Sequence, residues 1–192
     1  TCIAAYRMLG VCATIFPGPT RTLGGKIRGA VAVGLDSGSK QVADAAASVY
    51  ACLPRTAGQK ATAQAWSESC SGVIGSLHQL VGHLLEGVDE EGDWGAVRFG
   101  LVGGLSELPG AAEATNGKMG LEMLGSFLRR FDSLCACLNN TLAFGFAHAA
   151  ALPVEAIIAF VCRCLAVSTD QLLHVGHAMI GSVVPRLHVN AL

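Results

Sequence analysis

Apolar residues recur at Leu121, Leu124, Leu128, Phe131, Cys135, Leu138 and Leu142, in steps that alternate three and four. That spacing brings each side chain back to one face at 3.6 residues per turn, so it predicts an amphipathic helix of about six turns. Arg129, Arg130 and Asp132 fall off this stripe and are expected on the solvated side. Trp66, Cys70, Val73, Leu77, Leu80 and Leu84 write a second long helix. Val154, Ile157, Ile158, Val161 and Leu165 write a shorter one, with Pro153 where a first helical turn tolerates a missing N–H. The full expectation is helix over 2–15, 21–34, 38–52, 62–86, 119–143 and 153–166. No alternating strand pattern of useful length appears, and the predicted fold class is all-α.

The breaks fall where turn chemistry is found. Pro17-Gly18-Pro19 is expected to separate the first two helices, Asp36-Ser37-Gly38 the next pair, and Leu53-Pro54 to stop the third. Connections this short imply antiparallel neighbours. Helix-turn-helix units spaced by roughly forty residues suggest an armadillo- or HEAT-like stack forming one helical-repeat domain over 1–192, with a compact bundle as the alternative. Residues 87–117 break the rhythm with Asp89, Glu90, Glu91 and Asp93, then Gly103-Gly104 and Asn116-Gly117. A solvated Gly-rich and acidic insertion over about 88–117 is expected, holding one short helix near 96–101.

Composition narrows the class. Apolar residues make up 52% of the 192 and charged residues 14%, which permits a sizeable core and excludes a disordered chain. Aromatics are only 6%, and a chain rich in Ala, Leu and Gly suits close helix packing better than a β-sandwich. A net charge of −1 argues against a dedicated nucleic-acid surface, and Arg21, Lys26 and Arg28 read as a solvated face. Cys12, Cys70, Cys135 and Cys162, among the eight cysteines, lie in apolar helical runs, where a free thiol acts as a small hydrophobe. No signal-peptide pattern opens the sequence, so a reducing compartment is expected. The charge-free stretch Ser133–Val154 holds Asn139, Asn140, His148 and Pro153, all costly in a bilayer, so no membrane span is expected. Asn139-Asn140-Thr141 matches the glycosylation sequon but falls inside the helical stripe, which makes it a chance match.

Candidate chemistry fails on spacing. Gly24-Gly25-Lys26 resembles part of a phosphate loop, yet Thr20 stands where Gly is needed and Ile27 where Ser or Thr would hold magnesium. Cys135/Cys137 and Cys162/Cys164 are two residues apart, about 200° around a helix, so neither pair could share a metal without unwinding. His174 and His177 share one helical face without an acidic or thiol cluster to complete a site, and the carboxylates at 89–93 lie in a predicted loop. The expectation is a non-enzymatic chain with no catalytic residue, cofactor or metal. A catalytic or cofactor-binding helical domain is the alternative.

Five blocks resemble the Rix-domain family of proline-, glutamic-acid- and leucine-rich scaffolds: CIAAYRMLGVCATIFPGPTRTLGGKI at 2–27, YACLPRTAG at 50–58, AWSESCSGVIGSLHQLVGHLLEG at 65–87, RRFDSLCACLNNTL at 129–142 and LPVEAIIAFVCRCLAVS at 152–168. The last is the most specific, following a Pro-Val-x-x-Ile-x-x-Phe-x-Cys-Arg-x-Leu-x-Val-Ser core. The resemblance implies an armadillo-like scaffold of the rixosome, nucleolar and nucleoplasmic, acting in maturation of the large ribosomal subunit and processing of the second internal transcribed spacer. It implies as partners a WD-repeat subunit, a helical-repeat subunit, the midasin ATPase, a SUMO protease and the precursor ribosomal particle. The family is also linked to nuclear receptors through Leu-x-x-Leu-Leu helices, and here that stretch reads Leu77-His78-Gln79-Leu80-Val81, lacking the last Leu. Helical patterns at Cys2–Ile15 and Val183–Leu192 lack obvious caps, so these ends are expected to meet further repeats, a partner or a second copy of the chain.

Overall fold

Cys2–Ile15 forms the first helix, α1, followed after Phe16 by a single helical turn, α2 (Pro17–Arg21), and then by α3 (Gly24–Leu35) and α4 (Lys40–Cys52). A 3₁₀ segment over Leu53–Ala57 leads to α5 (Thr62–Leu84), and α6 (Leu121–Ala143), α7 (Val154–Ala166) and α8 (His177–Ala191) complete the order. The computed structural model describes residues 2–85, 121–145, 149–167 and 177–191. Every regular element among these is helical, as expected. The expected insertion at 88–117, its short helix and the acidic run lie outside the described residues.

Three expected boundaries move for local reasons. Pro17-Gly18-Pro19 does not merely separate helices; it forms α2, because a proline at the first helical position has no N–H to leave unpaired. The helix expected over 21–34 is α3 with a later start at Gly24, parted from α2 at Thr22 and Leu23, with Thr22 Oγ1 donating to the Pro19 carbonyl at 2.9 Å. Leu53-Pro54 does not end the chain's winding either. It tightens into the 3₁₀ segment, which stops at Gly58 with φ of 92°, a left-handed value suited to glycine.

α4 and α6 lie at the centre. α4 packs against α1 and α3 on one side and α6 on the other, while α6 also meets α5; α7 packs on α5, and α8 on α7 and α6. The α4 face is small, with Ala43, Ala46, Ala47 and Ala51 buried, which lets α3 approach closely. A Cβ added at Gly34 in α3 would sit 2.7 Å from the Ala46 Cβ and closer still to the Tyr6 hydroxyl of α1. Tyr6 in turn donates to the Ala30 carbonyl at 2.7 Å. The core between α4, α5 and α6 is filled by Tyr50, Ile74, Leu77, Phe127, Phe131 and Leu134. Burying each large aliphatic or aromatic side chain here contributes roughly 1.5–3 kcal/mol.

Because α6 sits between α4 and α5, it buries more than one stripe. Arg130, expected on the solvated side, is 1% exposed, and Phe127, Leu134 and Cys137 are as deeply buried as the predicted Leu124, Leu128 and Phe131. Leu142, expected on the core stripe, is 40% exposed on the wall of an open groove. Cys162 is likewise exposed rather than buried. The sequon threonine, Thr141, is fully buried and donates to the Cys137 carbonyl at 2.7 Å, inside α6.

Side chains distant in sequence complete several helix ends, whose last carbonyls lack intrahelical donors. Arg130 Nη1 and Ser133 Oγ of α6 donate to the carbonyls of Ala32 (3.4 Å) and Leu35 (2.9 Å) in the last turn of α3. Trp66 Nε1 of α5 donates to the Thr141 carbonyl at 3.0 Å, and Arg55 to that of Gly145 at 3.0 Å, closing the end of α6. The Arg55 guanidinium also lies 4.4 Å from the centre of the Phe144 ring. No described helix is long and apolar enough to cross a membrane.

Candidate interaction surfaces

A groove of about 920 Å³ runs between the start of α4, α6, α7 and α8. On α6 its wall follows Arg129, Asp132, Ala136, Asn139 and Leu142, steps of three and four that keep one face turned to the groove. At 1.5 Å per residue this face is about 20 Å long. Phe160, 3% exposed, and Ile157 of α7 supply the apolar floor together with Leu138. The rim is charged: Lys40 Nζ pairs with Asp44 at 3.2 Å, and Arg186 with Asp132 at 3.4 Å. Asn190 Nδ2 donates to Asp132 at 3.3 Å, and Arg129 Nη2 to Ser126 Oγ at 3.0 Å.

Two further helix faces stand open. α1 buries Ala13 and packs Tyr6 and Leu9 against the core, but its outer face presents Met8, Val11 and Ile15 at 63%, 48% and 61% exposure. That face lies beside a second groove of about 890 Å³ between α1 and α4. On α7, Val154, Ile158 and Leu165 form a comparable exposed stripe. A helix apolar on both sides is ordinarily covered on both, so these stripes mark surfaces suited to a partner.

The residues singled out for chemistry do not converge. Gly24, Gly25 and Lys26 open α3 without a side-chain cap, and Arg21, Lys26 and Arg28 are all exposed. Within each cysteine pair the two thiols face different surroundings, Cys135 half-buried and Cys137 buried, Cys162 exposed and Cys164 buried. Burial pushes the Cys137 thiol up to about 12 and that of Cys70 to about 11, and it raises Cys135 as well, which keeps all three protonated and poor nucleophiles. Among the described residues no group of three or more His, Cys, Asp or Glu could hold a metal ion. His174 and the carboxylates at 89–93 lie outside the described residues, as does the side chain of His177. Leu77, Leu80 and Val81 are each 0% exposed, so the receptor-box-like stretch presents none of these side chains to a partner.

Sequence reasoning missed the buried arginines. Arg130 pairs with Asp36, and Arg163 of α7 donates to the His78 carbonyl of α5 at 2.6 Å, with the His78 ring edge-on to Phe160 at 5.5 Å. The signal available was position: Arg163 sits among Ile157, Phe160 and Cys164 at core spacing, where a charge needs a partner.

The chain is similar to the proline-, glutamic acid- and leucine-rich protein 1 of Mus musculus, at 28% identity over 200 residues covering 98% of this chain. It is also similar to the protein of the same name from Xenopus laevis, at 27% identity over 196 residues covering 99%. These are distant homologues matched along nearly the whole chain. The chain spans 16% and 18% of the length of these two relatives, so it corresponds to a minor part of each. No family model matches it.

Proposed function

We propose that this chain is a non-catalytic scaffold segment of the rixosome, supporting maturation of the large ribosomal subunit precursor and processing of the second internal transcribed spacer in the nucleolus and nucleoplasm. The observation that carries the reading is the match to proline-, glutamic acid- and leucine-rich protein 1 across 98–99% of the chain. The physical character of the surface supports it. Apolar stripes on α1 and α7 and a helix-walled groove are features that dock proteins.

In this reading α1 to α8 are armadillo-like units of a longer stack, each burying one stripe against its neighbours and offering ridges and grooves to partners. The WD-repeat subunit is the partner assigned to the open faces. The helical-repeat subunit, the midasin ATPase, the SUMO protease and the precursor particle are reached through the assembled complex. Affinity capture of the full-length protein from nuclear extract tests this. Stoichiometric recovery of the WD-repeat subunit with precursor large-subunit rRNA is the expected result, and absence of both would refute the reading.

A further inference from the structure

The groove between α4, α6, α7 and α8 changes polarity along its length. Near the start of its α6 wall stand Arg129 and Asp132, and further along stand Leu138 and Leu142, roughly 14 and 20 Å from Arg129 at 1.5 Å per residue. Both rim carboxylates are engaged within the walls, Asp44 with Lys40 at 3.2 Å, and Asp132 with Arg186 at 3.4 Å and Asn190 at 3.3 Å. Arg129 is exposed, and its described bond is to the neutral Ser126 hydroxyl at 3.0 Å. Among the described residues, three rim cations stand against two paired carboxylates, which leaves Arg129 as a positive charge open to a ligand.

We propose that this groove binds an amphipathic helix of a partner protein, its apolar face over Leu138, Leu142 and Ile157 and a carboxylate where it passes Arg129. The inference deepens the scaffold reading by giving one of its surfaces a docking mode. A helix suits the site because the walls are helices: they offer ridges to side chains but no open strand edge to pair an extended backbone. A groove of about 20 Å takes about 13–14 helical residues, nearly four turns, the length over which apolar anchors at i, i+3 or i+4, and i+7 can engage. A nucleic-acid strand fits poorly, because the two carboxylates lie beside the cations that phosphates would need.

Two labelled synthetic helical peptides of about 14 residues test this, identical in a leucine stripe but carrying Glu in one and Lys in the other at the flanking position. Their binding to the 192-residue chain is read by fluorescence anisotropy. The Glu peptide is expected to bind at least about tenfold tighter, a difference of about 1.4 kcal/mol. Arg129→Glu should invert the preference, and Leu142→Asp should abolish binding of both peptides. Both side chains are exposed, and unchanged thermal melts of the two variants confirm that the fold is intact. Equal binding of the two peptides, binding of neither, or a preference unchanged by Arg129→Glu overturns the proposal. So does a dimer in sedimentation that Leu142→Asp dissolves, which would give the groove to a second copy of the chain. Capture of the WD-repeat subunit by full-length Arg129→Glu protein separates the two claims, since it can persist while the peptide result fails.

Discussion

Arg130 of α6 and Asp36 at the end of α3 form an ion pair of 2.5 Å, with the Arg130 side chain 2% exposed and that of Asp36 31%. The pair does more than match charges. Arg130 places a cation at the C-terminal end of α3, where the helix dipole favours it, and its guanidinium also reaches the Ala32 carbonyl. Helices far apart in sequence are thus joined by polar contacts that hold only when α3 and α6 are correctly aligned.

Removing Asp36 takes away the counter-charge that this ion pair supplies to a buried cation. Asp36→Ala is expected to destabilise the fold by about 2–4 kcal/mol, toward the lower end because Asp36 is partly solvated. Asp44→Ala, which breaks the exposed Lys40–Asp44 pair, should cost no more than about 0.5 kcal/mol. Urea denaturation of the two variants checks this, and similar losses in both would contradict it.

Gly34 is where α1, α3 and α4 meet most closely. Gly34→Ala should cost about 1–3 kcal/mol, because Tyr6 and Ala46 must both give way. Gly29→Ala in the same helix meets open space and should instead stabilise by about 0.5–1 kcal/mol. Thermal melts of the two variants should shift in opposite directions.

How much of this was legible in sequence depended on whether a helix buries one side or more. For α5 the stripe through Trp66, Cys70, Val73, Leu77, Leu80 and Leu84 is buried as expected, and the limits of α1, α7 and α4 fall within two residues of those read from periodicity. α6 misled because a helix between two neighbours does not show a single polar face. Arg130 looked solvated for want of any sequence cue that Asp36 and the Ala32 carbonyl would meet it. α2 was misread because Pro17 and Pro19 break a helix interior but suit a helix start. The groove was not legible at all: its walls come from α4, α6, α7 and α8, and only the tertiary arrangement sets Arg129, Leu142 and Ile157 around one space.

Thiol accessibility follows the packing. In the native protein Cys2 and Cys162, both exposed, should react with a disulfide reagent at pH 8 within minutes, while Cys52, Cys70, Cys137 and Cys164 should wait for unfolding. Mass spectrometry of the labelled sites over time reads this order. Early labelling of Cys137 would contradict the packing of α6 between α4 and α5.

The raised thiols also set an alkaline limit. Cys70 and Cys137 go from an ordinary 9.0 to about 11 and about 12 in the fold, both through burial. Below about pH 9 they are neutral folded and unfolded, so their full contribution is present. Above it the unfolded chain releases protons that the folded chain retains, and stability falls as pH rises through 11 and 12. Tyr50, raised by burial, adds in the same direction. Urea midpoints should be level from about pH 7 to 8 and decline above about pH 9, with a shallower decline in Cys137→Ala.

The scaffold claim itself is tested most directly by sedimentation of this chain, alone and with the purified WD-repeat subunit, over a concentration series. The account predicts that the chain alone self-associates through its open apolar faces. It further predicts that a defined complex forms with the WD-repeat subunit, weakened by Val11→Glu and Ile158→Glu on the faces of α1 and α7. A chain that stays monomeric at every concentration and ignores that subunit would contradict it.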